Sequence, residues 1–250
     1  MLILACDTSN SACSACLYRD GRVIAQSLLS TGRTHSLTFM PMVHDLMKLS
    51  GLTYPELDAF ACTVGPGSFT GIRIGVSAVK AMAMVADKLA VPVSSLAALA
   101  LPFYSEKNTL VVAMTDARNR RVFSSAYFEG TQVIQEKART IEDLMELCAE
   151  WEKSFSASGS AGTPAYILCG DAAATYTGED FFCMKAASAP ELFGREIQPV
   201  SVAELAFRLI GSDTAANLSE RFPPQMLMPV YRARTSAERL FSQKKEEVHD

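Results

Sequence analysis

Short apolar runs separated by turn residues open the chain. Three of them have the length of a strand: LILACD (2–7), CSACLYRD (13–20) and RVIAQSLL (22–29). Asp20 and Gly21, between the second and third runs, form a hairpin signal. The spacing therefore predicts three strands joined by short turns, arranged as an antiparallel meander.

Helices and strands then alternate. An apolar face predicts a helix over 36–50 that ends at Gly51, and Pro41 leaves its start open because proline is tolerated only near a first turn. Three further elements are predicted: a strand at 58–64, a helix at 71–88 and a strand at 91–95. The order βββαβα differs from that of a dinucleotide-binding domain, where a helix follows the first strand directly. It indicates a ribonuclease-H-like half-domain.

The same order returns later in the chain. Three strands, a helix and a strand are predicted at 109–117, 121–130, 131–138, 141–153 and 165–171. The repeat is one of pattern and not of sequence identity. We therefore expect an α/β fold with two βββαβ-type half-domains.

The boundaries follow from these repeats. We expect the first half at 1–100, the second half at 101–200, and a C-terminal segment with a charged tail at 213–250. A helix at 201–212 is expected to join the first half. Ser201 is its predicted cap, with Glu204 at the third following position and Gly211 as its stop.

Composition narrows the class of function. A net charge of −4 argues against a broad phosphate-binding surface, and the arginine-rich DARNRR (116–121) is interpreted as a solvated hairpin tip. The start does not resemble a signal peptide and no run suggests a membrane span, so we expect a cytoplasmic protein with no membrane partner. Cys13 and Cys16 have the spacing of a zinc or redox pair. With no partner at zinc spacing, buried free thiols are the preferred interpretation.

Two turns are candidates for holding phosphate. VGPGSFTGIRIG (64–75) has neither the lysine of a Walker A loop nor the spacing of a dinucleotide fingerprint, but it predicts a tight turn into a helix whose N–H groups could face an anion. The turn that starts at Asp7 could hold a metal–phosphate group or form an Asx-turn. A purely structural role is the preferred alternative for both. The candidate residues are Asp7, Thr8, Ser9, Gly65, Gly67, Ser68, Thr70 and Gly71.

Several blocks together resemble the TsaB family, also called YeaZ. They are ILACDTSNSACSACL, THSLTFMPMV, VGPGSFTGIRIGVSAVKAMA, VSSLAALA, MTDARNRRVFSSAYF, ILCGD and PVYRA. The resemblance implies an ASKHA fold, as in actin and sugar kinases, and a role in making threonylcarbamoyladenosine at position 37 of tRNAs reading ANN codons. It implies TsaD as the catalytic partner, TsaE as a third component, a homodimer when TsaD is absent, and only indirect contact with tRNA.

The resemblance also implies where catalysis should lie. TsaD binds its metal through two histidines four residues apart, whereas His35 here is followed at that spacing by Phe39. We therefore expect no metal, no catalytic residue and no cofactor on the isolated chain, with ATP or ADP bound only in a complex with TsaD and TsaE. The alternative is an independent ATP-dependent phosphotransferase or a peptidase.

Two helices are more apolar than a helix that covers one face of a sheet needs to be. We expect the helices at 36–50 and 71–88 to be covered by another protein, although the C-terminal segment of the same chain could also cover them. The expected interface residues are His35, Phe39, Met42, Val43, Met47, Arg73, Val76, Lys80 and Ala83.

Overall fold

The computed structural model of the chain describes residues 1–157, 162–178, 182, 186–188, 194–211, 213 and 215–232. Part of the loop predicted around 156–164, Cys183 and the charged tail with His249 lie outside the described residues.

The first sheet contains five strands, which occur in the spatial order β3-β2-β1-β4-β5. They span Leu2–Asp7 (β1), Cys13–Arg19 (β2), Arg22–Leu29 (β3), Ala59–Gly65 (β4) and Leu89–Ser94 (β5). The first three strands are antiparallel, while β4 and β5 run parallel to β1. The predicted meander is therefore confirmed.

The second sheet repeats this topology, in the order β10-β9-β6-β7-β8. Its strands are Thr109–Asp116 (β6), Arg121–Phe128 (β7), Thr131–Thr140 (β8), Ala165–Cys169 (β9) and Ala186–Ser188 (β10). Strand β6 takes the place of β1, and β9 takes the place of β4. The doubled pattern predicted from the sequence is present in the fold.

The helices lie between these strands in the sequence or follow the last of them. They are His35–Ser50 (α1), Phe69–Ala86 (α2), Ser95–Ala100 (α3), Ile141–Ala157 (α4), Ala173–Tyr176 (α5), Pro199–Ile210 (α6) and Ala215–Arg221 (α7). Helices α3 and α6 contribute to one core cluster with residues of both sheets, such as Ile3 and Val111. This shared core joins the two halves.

One predicted helix start needs correction, and the structure gives a second start that the sequence left open. Helix α6 begins at Pro199 and not at a Ser201 cap, because proline at the first helical position has a φ angle suited to the helix. Helix α1 begins at His35, which places Pro41 in its interior and removes the hydrogen bond to the carbonyl of Leu37. The predicted C-terminal residues Gly51 and Gly211 are confirmed, each with a positive φ.

Helix α2 also corrects an expectation about membranes. Its 18 residues have a mean hydropathy of 1.4, so by length and composition alone the helix could cross a bilayer. The helix packs on β4 in this fold, and core helices often share that composition. Its apolar character is used, at least on one side, to cover the sheet.

Candidate functional site

The turn after β1 is built around Asp7. The Oδ1 atom of this buried carboxylate accepts three hydrogen bonds, from the Ser9 N–H at 3.0 Å, the Ser9 hydroxyl at 2.6 Å and the Thr63 hydroxyl at 2.5 Å. The bond from the Ser9 N–H is the one that defines an Asx-turn. Burial raises the pKa of the Asp7 carboxyl, and the bonds from Ser9 and Thr63 oppose that shift.

The glycine loop packs directly on this turn. A Cβ atom at Gly67 would overlap the carbonyl oxygen of Ser9, and one at Gly71 would overlap that of Thr8. Glycine is therefore required because the start of α2 meets the turn backbone to backbone. The Gly65–Pro66 peptide bond in this loop is cis.

The polar groups of the loop bond to each other and to the turn. The Ser68 N–H donates to the Ser9 carbonyl at 2.7 Å, and the Ser68 hydroxyl caps α2 by accepting from the Gly71 N–H at 3.2 Å. The Thr8 hydroxyl donates to the Gly71 carbonyl at 2.7 Å. The predicted phosphate residues are thus brought together, but contacts within the protein engage these groups. Thr70 is exposed in the first turn of α2, where Ser68 alone supplies the side-chain cap.

A cleft of about 670 Å³ lies beside these turns, between the two halves. The first half contributes Ser9, Asn10, Gly67 and Ser68 to its wall. The second half contributes Thr115, Asp116, Arg118 and Asp171. Partial burial raises the pKa of the Asp171 carboxyl, against a hydrogen bond from the Asp116 N–H at 3.0 Å, and the charge of Asp116 raises it further.

The hairpin tip between β6 and β7 projects Arg118 toward this cleft. Arg118, Asn119 and Arg120 all have positive φ angles, and the exposed guanidinium of Arg120 pairs with Glu142 at 2.7 Å. The interpretation of 116–121 as a solvated tip is confirmed. The cleft wall supplied by the second half carries charges of both signs.

His35 supports the turn from the side of α1. Its Nε2 atom donates to the Asn10 carbonyl at 2.7 Å. Within the described ranges, no three His, Cys, Asp or Glu side chains are grouped so that they could hold a metal ion. The six described cysteines are free and buried, and Cys13 and Cys16 belong to different core clusters on opposite faces of β2.

Most of the predicted interface side chains need correction. Six of these side chains are buried against the sheet below the two helices: Phe39, Met42, Val43, Met47, Val76 and Ala83. They form the core of the first half and are not available to a partner. Arg73 is exposed, whereas His35 and Lys80 are half-buried.

A different set of apolar side chains is exposed on the same two helices. We call this set the outer face, and it comprises Leu37, Met40 and Leu49 on α1 with Phe69, Met84 and Val85 on α2. Val85 is 90% exposed and Leu49 is 85% exposed. The excess of apolar residues noted in the sequence is therefore real, but it concerns neighbours of the residues that were predicted.

A segment after α7 runs along α2, which confirms for this helix the alternative that the C-terminal segment of the same chain covers it. Its residues Val230, Tyr231 and Arg232 line the cleft. In the sequence these residues are marked only by the block PVYRA, and the spacing of that block does not predict what they contact.

Two ribonuclease-H-like halves around a central cleft define the ASKHA class of α/β proteins. A family model described as "TsaD: tRNA N6-adenosine threonylcarbamoyltransferase" matches residues 23–239. The proteins named "tRNA threonylcarbamoyladenosine biosynthesis protein TsaB" in Haemophilus influenzae and Escherichia coli are 39% and 34% identical to this chain. The chain belongs to this TsaD family and, within it, to the TsaB group.

The extent of these matches differs between sequence and structure. The alignments cover 56% and 60% of this chain, and they span 57% and 69% of the Haemophilus influenzae and Escherichia coli proteins. A solved structure described as "YeaZ from Pseudomonas aeruginosa" is 26% identical, with a TM-score of 0.67. That match covers 92% of this chain and 99% of the other.

Proposed function

We propose that this chain is a non-catalytic scaffold subunit that pairs with TsaD and supports threonylcarbamoylation of adenosine 37 in tRNAs reading ANN codons. Relatives named for threonylcarbamoyladenosine biosynthesis support the pathway. The outer face of α1 and α2 supports the pairing.

The outer face is the observation that carries the scaffold role. Large side chains such as Leu37, Leu49 and Val85 are 71%, 85% and 90% exposed on two helices that pack against each other. Single exposed apolar residues are ordinary, but a group of them on neighbouring helices is typical of an interaction site. Ser77 and Ala81, also exposed on α2, are small and allow a helix of the partner to approach closely.

The partner is TsaD, with TsaE as a third component. The same face supports a homodimer when TsaD is absent. We propose that tRNA is contacted only indirectly and that ATP or ADP binds only in the assembled complex. The hydrogen bonds that engage Asp7, Ser68 and Gly71 within the protein support this last point.

A reconstituted reaction tests the scaffold role. TsaD, TsaE, ATP, threonylcarbamoyl-adenylate and tRNA are combined with the wild-type chain, with Val85→Arg or without the chain. We expect modified tRNA to form with the wild type, and to fall to the level without the chain for Val85→Arg. The matched control is Leu147→Arg, which places the same charge on α4, where Leu147 is 37% exposed. Equal modification without the chain would contradict the proposal.

Calorimetry of the isolated chain with Mg-ATP separates this proposal from a phosphotransferase. In a scaffold, the polar groups of the Asp7 turn are engaged by hydrogen bonds within the protein. Mg-ATP should then not bind, and no binding heat should be released. Micromolar affinity would favour the phosphotransferase instead.

A further inference from the structure

The last described segment of the chain, Phe222–Arg232, is a strap that crosses the first half. It starts at the edge of β5, where the Phe222 carbonyl accepts from the Ala90 N–H at 3.0 Å. It continues along α2, where the Lys80 ammonium donates to the Gln225 carbonyl at 2.7 Å and Leu227 is buried in the core. The strap therefore covers one side of α2 from within the same chain.

The strap then reaches the glycine loop. The Val230 N–H donates to the Val64 carbonyl at 2.8 Å, and a Cβ atom at Gly65 would come within 2.8 Å of the Val230 carbonyl oxygen. Gly65 also has a φ of 122°, a backbone conformation that favours glycine. The end of β4 is thus shaped to let the strap pass closely.

Tyr231 belongs to two surfaces at once. Its ring packs on Phe69 with a centroid distance of 5.1 Å, and both rings line the cleft. Its hydroxyl accepts from Nε of Arg73 at 2.8 Å, while the Arg73 guanidinium lies 3.8 Å from the Phe69 ring centroid. Because Arg73 is exposed on α2, this stack joins the helix surface to the cleft wall.

Arg232 ties the strap to the second half. Its Nε atom lies 2.9 Å from Oε1 of Glu136 on β8, a side chain that is only 9% exposed. The Ser94 hydroxyl at the end of β5 donates to the other carboxylate oxygen of Glu136. The stability of a poorly hydrated carboxylate depends strongly on its hydrogen-bonding and charged partners. Glu136 therefore links the second half, to which it belongs, to the first half and to the strap.

We propose that the strap is a clamp between the two halves and that Tyr231 couples the surface of α2 to the cleft. Arg232 holds the clamp closed through Glu136, and Arg73 positions Tyr231 from the helix side. A change at Arg73 is therefore transmitted to the cleft. The inference concerns the isolated chain and does not depend on which protein docks on α2.

Hydrogen–deuterium exchange of the full chain tests the clamp. The variants are Arg232→Ala and Arg73→Ala, with Arg208→Ala as a matched control that removes an arginine–carboxylate contact of 2.8 Å on α6. We expect exchange over 64–72 and 222–232 to accelerate about fivefold to tenfold in the first two variants, which corresponds to a small part of a typical folding stability. The peptide 141–157, on α4, should be unchanged in all three.

Tyr231→Phe keeps the ring on Phe69 and removes only the hydroxyl, so it provides a test if Arg73→Ala folds poorly. It should accelerate exchange over the same two peptides by a smaller factor. Exchange like that of the wild type in both Arg232→Ala and Tyr231→Phe would overturn the clamp. Acceleration in Arg232→Ala with none in Arg73→Ala or Tyr231→Phe would overturn the coupling to α2.

Discussion

The two halves carry an aspartate at the same topological position and use it differently. Asp7 ends the first strand of one sheet, and Asp116 ends the first strand of the other. Asp7 is 2% exposed, and one of its oxygens accepts three hydrogen bonds. Asp116 is exposed at the cleft and accepts from the Arg118 N–H at 2.7 Å.

The helix that follows the fourth strand explains this difference. In the first half, the 18-residue α2 packs on the Asp7 turn through glycines. In the second half, the corresponding helix α5 has four residues and starts beyond the exposed Asp171. The comparison teaches that the topology places an acid at the carboxyl end of the central strand, whereas the length and packing of the next helix decide whether the acid stays accessible.

The packing of α2 against the turn after β1 depends on glycine, so the largest loss of stability is expected when one of these glycines is changed. Gly71→Ala should lower the free energy of unfolding by about 1–3 kcal/mol or more, because its Cβ atom would overlap the backbone carbonyl of Thr8. Gly178→Ala, in the second half, has open space around the new methyl group and is the control. Urea unfolding measures both, and equal losses would contradict the packing argument.

The two aspartates should also differ when they are removed. Asp7→Ala should lower the free energy of unfolding by about 1–3 kcal/mol, because it leaves the buried donors of Ser9 and Thr63 without an acceptor. Asp116→Ala should lower it by about 1 kcal/mol or less, since water reaches the exposed Arg118 N–H. Urea unfolding of both variants measures the two losses. A larger loss for Asp116→Ala than for Asp7→Ala would contradict the description of Asp7 as the buried, hydrogen-bonded aspartate.

The smallest expected effect is on the pH dependence of stability. Burial raises the pKa of Asp7 above its ordinary 3.8, so over the range above that value the folded state binds more protons than the unfolded state, and stability falls as pH rises. Asp7→Asn removes this contribution, and its stability relative to the wild type should rise with pH across that window. Unfolding curves from about pH 3 to pH 7 measure the difference.

Glu56→Gln is the control of opposite sign. Hydrogen bonds from Thr53 lower the pKa of the Glu56 carboxyl, so its contribution is present above the ordinary value of 4.5 and is lost as pH falls. The stability of this variant relative to the wild type should therefore decrease as pH rises. A flat difference for Asp7→Asn would show that the buried carboxyl does not titrate as described.

The fold was largely predictable because strands separated by turn residues follow local rules. The runs at 2–7, 13–20 and 22–29 are each long enough for one strand and are separated by turns, and their order distinguishes this topology from a dinucleotide-binding domain. The closure of the glycine loop was not predictable, because spacing alone cannot show that Gly71 meets the carbonyl of Thr8.

The exposed apolar side chains were predictable only at the level of helices. Phe39 and Met40 are adjacent apolar residues on α1, yet the first is 1% exposed and the second 41%. A helix with a wide apolar cover does not reveal which part faces its own sheet. The C-terminal segment was expected only as an alternative cover for the helices, and its individual contacts were not predictable. They join residues 158 and 96 positions apart, as between Arg73 and Tyr231 and between Glu136 and Arg232.

Binding of TsaD to the purified chain tests the central claim most directly. Sedimentation velocity should detect a complex between TsaD and the wild type. Val85→Arg should weaken it at least about tenfold, or about 1.4 kcal/mol, because a charge then stands where Val85 is 90% exposed on α2. Leu147→Arg on α4 should bind like the wild type. A complex that tolerates Val85→Arg as well as Leu147→Arg, or the absence of any complex with the wild type, would contradict the account.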